Sequence, residues 1–254
     1  MIKAYWKYRK KSVNAHGIHS PFVFDMYNEV VSKTRDVDDS YIRMIRSSLS
    51  RDHREITITD LGQGSRKSGN QQKRKISELV RVQGISKKYG RLLSKLVEHY
   101  KLEQCVELGT SLGFGTAYLA QHANKVLTIE GCSNIQEKAR EIWAEYQPEK
   151  IHYVQGEFSE VLPHVLNQME KLDLAFIDGN HGYEPTLSYF ETILTKAHND
   201  TFIIFDDINW SEGMRKAWDK IVSDERIHVS LEFFRMGIVL KRKEQAKEHF
   251  VLKI

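Results

Sequence analysis

Cysteine is scarce: the 254-residue chain holds two, Cys105 and Cys132. Two cysteines do not make a disulfide framework, and a reducing compartment, the cytoplasm, is the expected home. Long apolar runs are also missing. No stretch approaches the roughly 20 residues that a membrane span needs. The opening MIKAYWKYRKKS is basic, but no apolar segment of the secretory kind follows it. Internal repeats and low-complexity linkers are absent as well.

A chain of this length can bury one substantial core with an appended element. Its net charge of +4 conceals an asymmetry. Residues 1–100 carry 21 Lys/Arg against 10 Asp/Glu, and the remainder carries 17 against 24. Such a split indicates two modules, or a basic face set against an acidic body. It favours an anionic partner: a phosphorylated small molecule, a nucleic acid or a membrane surface. The competing reading is a solvated basic surface that binds nothing.

From about residue 104 a strand–helix rhythm sets in. CVELG, KVLTIE, IHYVQG, LDLAFID and TFIIFDD read as strands, each followed by an amphipathic helical stretch. That alternation predicts parallel βαβ units with right-handed crossovers. LDLAFID and TFIIFD are nearly continuous apolar runs, as in strands covered on both faces. The rhythm then breaks. IHVSLEFF and MGIVLKRK leave no room for a helix between them, so they predict a hairpin whose last strand is antiparallel to the rest. The fold class is therefore α/β, a Rossmann-like doubly wound sheet, mostly parallel, with a C-terminal antiparallel β-hairpin and a helical N-terminal extension.

The first hundred residues read mainly as helices. SPFVFDMYNEVVS, DDSYIRMIRSSLS, QQKRKISELVRV and SKKYGRLLSKLVEHY are the helical stretches, with Ser20 and Ser86 as N-caps and Pro21 in a first turn. REITITDLGQGSRKSGNQQ reads as a loop, or a short strand and a loop. Its ITITDLGQGS (Ile56 to Ser65) imitates a cofactor motif, but no apolar helix follows to complete a βαβ unit.

ELGTSLGFG places Gly109, Gly113 and Gly115 after a strand and at the opening of a helix. Unpaired N–H groups and a positive dipole end collect there. The spacing G-x-x-x-G-x-G differs from the G-x-G-x-x-G of dinucleotide folds. Glu107 stands two residues ahead of the first glycine, where a carboxylate suits a cationic ligand and repels a pyrophosphate. Glu130 closes the next strand, 15 residues after Gly115, and can accept hydrogen bonds from both hydroxyls of a ribose.

Residues of about 85–241 resemble the class I S-adenosylmethionine-dependent methyltransferases. Within them the chain is most similar to the small-molecule O-methyltransferases related to catechol O-methyltransferase and the macrocin-type sugar O-methyltransferases. VELGTSLGFGT is similar to the first motif of that family, LTIEG to the second and VQGEFSE to the third. The resemblance implies S-adenosylmethionine as cofactor. It would be held by Glu107, Gly109, Thr110, Ser111, Gly113 and Gly115, by Glu130 and Gly131, by Gly156, Glu157 and Phe158 beside the adenine, and by Asp178. It also implies a division into residues 1–84, a basic helical extension that lids the substrate side, and residues 85–254, the methyltransferase domain.

FIDGNHGYE puts Asp178 at the end of the fourth strand, and FDDINW puts Asp206 and Asp207 at the end of the fifth. Ligands of an open α/β sheet bind outside those ends. Three converging carboxylates call for a cation, and Mg2+ with oxygen ligands is the natural one. The metal-dependent O-methyltransferases carry acids at matching positions; metal-free ones carry acids that cap helices or touch the cofactor. His181 stands where the catechol-type enzymes place a lysine base, and an imidazole can remove a proton at neutral pH. Asp178 and His181 are thus the expected catalytic pair. Asn180 would orient the acceptor, and Tyr183 and Trp210 are candidate aromatic walls.

The acceptor expected is a small-molecule hydroxyl, with an anionic group in keeping with the basic extension. DNA base-amine methylases carry an Asn/Asp-Pro-Pro-aromatic motif where this chain reads IDGNHGY, and cytosine carbon methylation needs a cysteine that is absent there. RNA stays open, because Arg66 to Arg91 holds nine basic residues against Glu78 alone. A non-catalytic cofactor-binding protein and a homodimer are also compatible with the sequence.

Overall fold

Turn chemistry and hydrophobic periodicity place most elements where the sequence puts them. The computed structural model describes residues 2–59, 71–82 and 84–254. The N-terminal region holds α1 (Ile2–Lys11), α2 (Pro21–Met26) and α3 (Ser40–Leu49). Ser20 caps α2, its hydroxyl accepting from the Val23 amide at 3.4 Å, with Pro21 in the first turn. Strands β1 (Glu55–Thr59) and β2 (Gln71–Lys75) follow, then α4 (Ile76–Val82) and α5 (Lys87–Tyr100).

One helical expectation fails here. QQKRK is a strand, paired antiparallel with EITIT from Glu55↔Lys75 to Thr59↔Gln71. Its polar pattern carries no helical apolar stripe, and the partner strand supplies its hydrogen bonds. The extension is therefore helical with an inserted hairpin. From Asp60 onward the imitation motif Ile56 to Ser65 lies outside the described residues.

The main sheet contains β3 (Gln104–Leu108), β4 (Lys125–Glu130), β5 (Ile151–Gln155), β6 (Leu174–Ile177) and β7 (Phe202–Phe205), side by side in the order β5-β4-β3-β6-β7 and all parallel. Strands β8 (Val229–Phe233) and β9 (Met236–Leu240) form the expected hairpin. β9 lies between β7 and β8 and runs antiparallel to both. An eighth strand, β10 (Glu248–Val251), adds in parallel to β8 and was not legible in the sequence. The helices between strands are α6 (Phe114–Ala120), α7 (Ser133–Ile142), α8 (Phe158–Asn167), α9 (Tyr183–Leu194) and α10 (Glu212–Ser223).

The two faces of the sheet are covered differently. α8, α9 and α10 bury one face through Leu162, Phe190 and Trp218. On the other, α5 and α6 share a single buried cluster with Val23 and Met26 of α2, Ile42 of α3 and Leu79 of α4. The N-terminal region is thus packed into the main core. Asp39, at the start of α3, fastens it there. Its carboxylate accepts from Arg91 of α5 at 2.6 and 2.9 Å, from Arg43 at 2.8 Å and from the Tyr118 hydroxyl of α6 at 2.9 Å. At the far end, the Val13 amide donates to Val251 O at 2.8 Å, and the Tyr8 hydroxyl to Leu252 O at 2.6 Å. No described helix is long and apolar enough to cross a membrane.

Strand order reverses between β3 and β6, because β4 and β5 lie on one side of β3 and β6 and β7 on the other. The loops leaving β3 and β6 part there, which is where an open sheet forms its binding crevice.

Candidate functional site

A cavity of about 590 Å³ opens at that crevice. Its floor comes from the strand-end loops: Gly109 and Ser111 after β3, Glu130 and Gly131 after β4, Gly156 to Phe158 after β5, and Asp178 to His181 after β6. Asp207, Trp210 and Arg235 close the far side. The N-terminal hairpin and α4 supply the rim through Ile58, Thr59, Gln72, Arg74 and Val82.

The β3 loop is shaped by residues at positive φ. Gly109 has φ +101°, and a Cβ there would lie 2.1 Å from the Asp178 carbonyl oxygen. Gly113 has φ +79°, and a Cβ would meet the Trp143 indole nitrogen at 2.4 Å. That indole N–H donates to Leu112 O at 2.7 Å and pins the loop from behind. Only glycine meets both demands, positive φ and close approach.

Glu130 holds the loops together. One carboxylate oxygen accepts from the Ser111 amide and the other from the Cys132 amide, both at 3.0 Å. Burial raises its pKa, and the two amides partly offset that. It also lines the cavity.

Glu107 sits elsewhere. It is buried under α6 and does not line the cavity. Its carboxylate accepts from the Thr116 hydroxyl and, at 2.7 Å, from the Thr128 hydroxyl, while Thr110 and Thr128 share a 2.6 Å hydrogen bond. Burial pushes its pKa up to about 7. Gly115 packs directly on it, a Cβ there falling 2.4 Å from a Glu107 oxygen. Glu107, Thr110, Gly113 and Gly115 therefore support the loop from below, while Gly109, Ser111, Glu130, Gly131, Gly156, Glu157, Phe158 and Asp178 face the cavity.

Two polar atoms on cavity-lining residues lack partners among the described residues. Ser111 Oγ and Asn180 Oδ1 are both buried and unpaired. Buried polar atoms in that state are expected to meet a ligand or ordered water. The hydroxyl- and amine-bearing S-adenosylmethionine fits this requirement, as it fits the two-oxygen acceptor Glu130. Phe158 meets the Tyr189 ring edge-on at 5.7 Å, giving the third motif a flat apolar wall.

The carboxylates converge at the other end. His181 Nε2 lies 3.7 Å from Asp178 Oδ1 and 4.0 Å from Asp207 Oδ2. Burial lowers the His181 pKa against the pull of Asp207, which favours the neutral imidazole. Burial also raises Asp178 well above the usual carboxylate range, with Asp206 and Asp207 adding to it. Asp206 is pushed up to about 6 by burial, with Arg235 opposing.

Arg235 is the residue the sequence reading missed. It stands in the turn between β8 and β9. Its Nε and Nη2 reach the two oxygens of Asp206 at 3.1 and 3.0 Å. The same nitrogens lie 2.9 and 3.4 Å from the two oxygens of Asp207. The one available signal was a lone basic residue between two buried strands. This arrangement does not fit the expected Mg2+ set. All four oxygens of Asp206 and Asp207 already face a guanidinium, and among the described residues no group of three or more His, Cys, Asp or Glu is disposed to hold a metal ion. Of the aromatic candidates, Trp210 lines the cavity and Tyr183 does not.

A sequence-family model for a methyltransferase domain matches residues 106–208. An uncharacterized protein, R132, of Acanthamoeba polyphaga mimivirus is 36% identical over 56 residues, which is 21% of this chain. The matched stretch spans a quarter of that protein's length, 25%. Among solved structures, the O-methyltransferase from Bacillus cereus in complex with SAH superposes with a TM-score of 0.60 at 19% identity, over 83% of this chain and 95% of that one. The SAH-bound Podospora anserina methyltransferase PaMTH1 gives 0.60 at 14% identity, over 89% and 99%. The O-methyltransferase TomG from Streptomyces achromogenes, involved in tomaymycin synthesis and in complex with SAM, gives 0.54 at 18%, over 63% and 82%. Residues 106–208 match the methyltransferase-domain model, and the chain shares its fold with these solved methyltransferases.

Proposed function

We propose that this protein methylates an oxygen atom of a small molecule at the expense of S-adenosylmethionine. The observation that carries the reading is the continuity of one cavity. Its floor joins the glycine loop and Glu130 at one end to His181, Asp178 and Arg235 at the other. Gly109, Ser111, Glu130, Gly131, Gly156, Glu157 and Phe158 would hold the cofactor, with Glu107 supporting the loop from beneath. Bound S-adenosylmethionine supplies an electrophilic methyl group on a sulfonium.

The chain's own part is to orient and to move one proton. His181, neutral and on the cavity wall, takes the acceptor's hydroxyl proton at an imidazole nitrogen as the oxygen–methyl bond forms. Asp207, 4.0 Å from that ring, favours the imidazolium so produced, and Asp178 lies beside it at 3.7 Å. Such a transfer depends mostly on positioning. Arg74 and Val82, both on the rim, offer a cationic and an apolar contact, which suits an acceptor with an acidic group. Residues 1–84, through the β1–β2 hairpin and α4, act as the substrate-side cover. The reading includes no metal, because the donor set does not fit one.

A second reading draws on Lys73, Arg74 and Lys75, which are all exposed on β2 beside the mouth; an RNA could lie along them. The test is calorimetry followed by transfer. S-adenosylhomocysteine should bind and NAD should not, and methyl label from S-adenosylmethionine should pass to members of a panel of acidic hydroxylated small molecules. Transfer only to RNA would replace the acceptor class. Binding without any transfer would indicate a non-catalytic cofactor-binding protein, and no binding of S-adenosylhomocysteine would remove the reading altogether.

A further inference from the structure

The three strand-end aspartates need a cation, and the fold supplies one of its own. Asp206 is fully buried, and Asp207 beside it lies at φ +54°. Their four oxygens are met by the Nε and Nη2 of Arg235 at 2.9–3.4 Å. A planar guanidinium can bridge two carboxylates in this way, whereas a lysine ammonium acts as a single point. Among the described residues the third guanidinium nitrogen, Nη1, meets no acceptor, and Arg235 lines the cavity.

The turn that presents Arg235 is braced from several sides. The Arg235 amide donates to the Tyr89 hydroxyl at 3.4 Å, and the Ile208 amide donates to Arg235 O at 2.9 Å. Asn209 donates its side-chain amide to Phe234 O at 2.5 Å. The Phe234 ring, at φ +67°, packs against Tyr5 and Tyr8 of α1 with centroids 5.2 and 5.5 Å apart. Tyr8 in turn donates its hydroxyl to Leu252 O, just after β10. The N-terminal helix thus holds the position of a charge in the active cavity. A fixed charge costs no reorganisation during reaction.

We propose that Arg235 takes the place of a divalent metal ion in this protein: it pairs permanently with both Asp206 and Asp207 and receives the acceptor's oxygen on Nη1. The proposal rests on the methyl-transfer reading for the second of these roles and on the ion-pair geometry alone for the first. A metal ion would have to displace the guanidinium from the same oxygens against charge repulsion, so the wild-type site excludes it.

Mn2+ binding tests the first role without any acceptor. Folded wild-type protein, titrated with Mn2+ in the presence of S-adenosylhomocysteine, should give no calorimetric or paramagnetic signal of a bound ion at this site up to millimolar concentration. Arg235→Gln strips the carboxylates of their partner and should gain one Mn2+ with at least tenfold higher affinity. Should Arg235→Gln fail to fold, Arg235→Lys is read instead; its single ammonium leaves oxygens uncovered, and a smaller gain is expected. One Mn2+ bound by wild type and lost in Asp207→Asn would overturn the proposal, as would a folded Arg235 variant that gains none. Turnover in the transfer assay should change less than twofold after exhaustive chelation, and a loss restored by Mg2+ would also overturn it. Failure to bind S-adenosylhomocysteine would sink the methyl-transfer reading while leaving the Mn2+ result interpretable.

Discussion

Gly109 and Asp178 come together across two neighbouring parallel strands, so closely that a methyl group on Gly109 would sit 2.1 Å from the Asp178 carbonyl oxygen. The contact joins the first loop of the cofactor cradle to the loop that carries His181. The consequence for Gly109→Ala is direct. The alanine would have to keep φ near +101° and also push a backbone carbonyl away. We expect a stability loss of about 2–4 kcal/mol and at least a tenfold loss of S-adenosylhomocysteine affinity. Thermal melting and calorimetry read the two effects. Unchanged affinity in a folded variant would mean that this loop is not the cradle.

Glu130 separates its two acceptors cleanly. Glu130→Ala leaves the Ser111 and Cys132 amides without partners. Hydrogen bonds to a charged group contribute roughly 1.5–3 kcal/mol each, so affinity should fall about 10- to 100-fold. Glu130→Gln keeps one oxygen and should fall between the two. If both variants bind as wild type does, the ribose contact lies elsewhere.

His181 is tested by rate. His181→Ala should lower kcat by about 100-fold, in the range for a lost general base, while S-adenosylhomocysteine affinity stays within threefold. Retention of most of the turnover would exclude the role.

Asp39 predicts an acid-side stability loss. Burial pushes its pKa up, but the Arg91 and Tyr118 hydrogen bonds outweigh it and hold the folded value at about 2, against 3.8 unfolded. The folded pKa is depressed. Its contribution is therefore present above about pH 4 and disappears as pH falls through about 2. The size is about 2 kcal/mol by the usual conversion. Asp39→Asn should melt lower at pH 7, and the gap to wild type should close as pH falls through that window. A gap independent of pH would show that the carboxylate's charge is not what fastens α3 to α5 and α6.

Glu107 has the opposite sign. Burial raises its folded pKa to about 7 from 4.5. Its protonated form is favoured in the folded state, so stability is fully present below about pH 4.5 and declines as pH rises through about 7. Glu107→Gln removes this titration. Its stability relative to wild type, followed by denaturant unfolding, should therefore rise between pH 5 and pH 8 by on the order of 2–3 kcal/mol. A flat difference would show that Glu107 is ionised throughout.

The sequence by itself determined what local geometry and short-range patterning can encode. The apolar runs LDLAFID and TFIIFD, covered on both faces, predicted the interior strands β6 and β7. Gly109 and Gly113 marked two of the loop's three positive-φ positions, which glycine adopts freely; Ser111 is the third. Glu130, at a strand end, was placed by its position in the βαβ rhythm, since parallel strands all direct their carboxyl ends to one edge.

Tertiary structure decided what depends on partners far away in the chain. QQKRK is a strand because EITIT lies beside it, 16 residues ahead, and its own pattern does not say so. Glu107, expected in the cavity, lies beneath the loop because Thr116 and Thr128 claim its carboxylate. Asp206 and Arg235 are 29 residues apart, and the insertion of β9 next to β7 brings them together. Three aspartates at strand ends call for a cation. Which cation it would be depended on where the β8–β9 turn came to rest, a matter of sheet order and of the packing of α1 on Phe234.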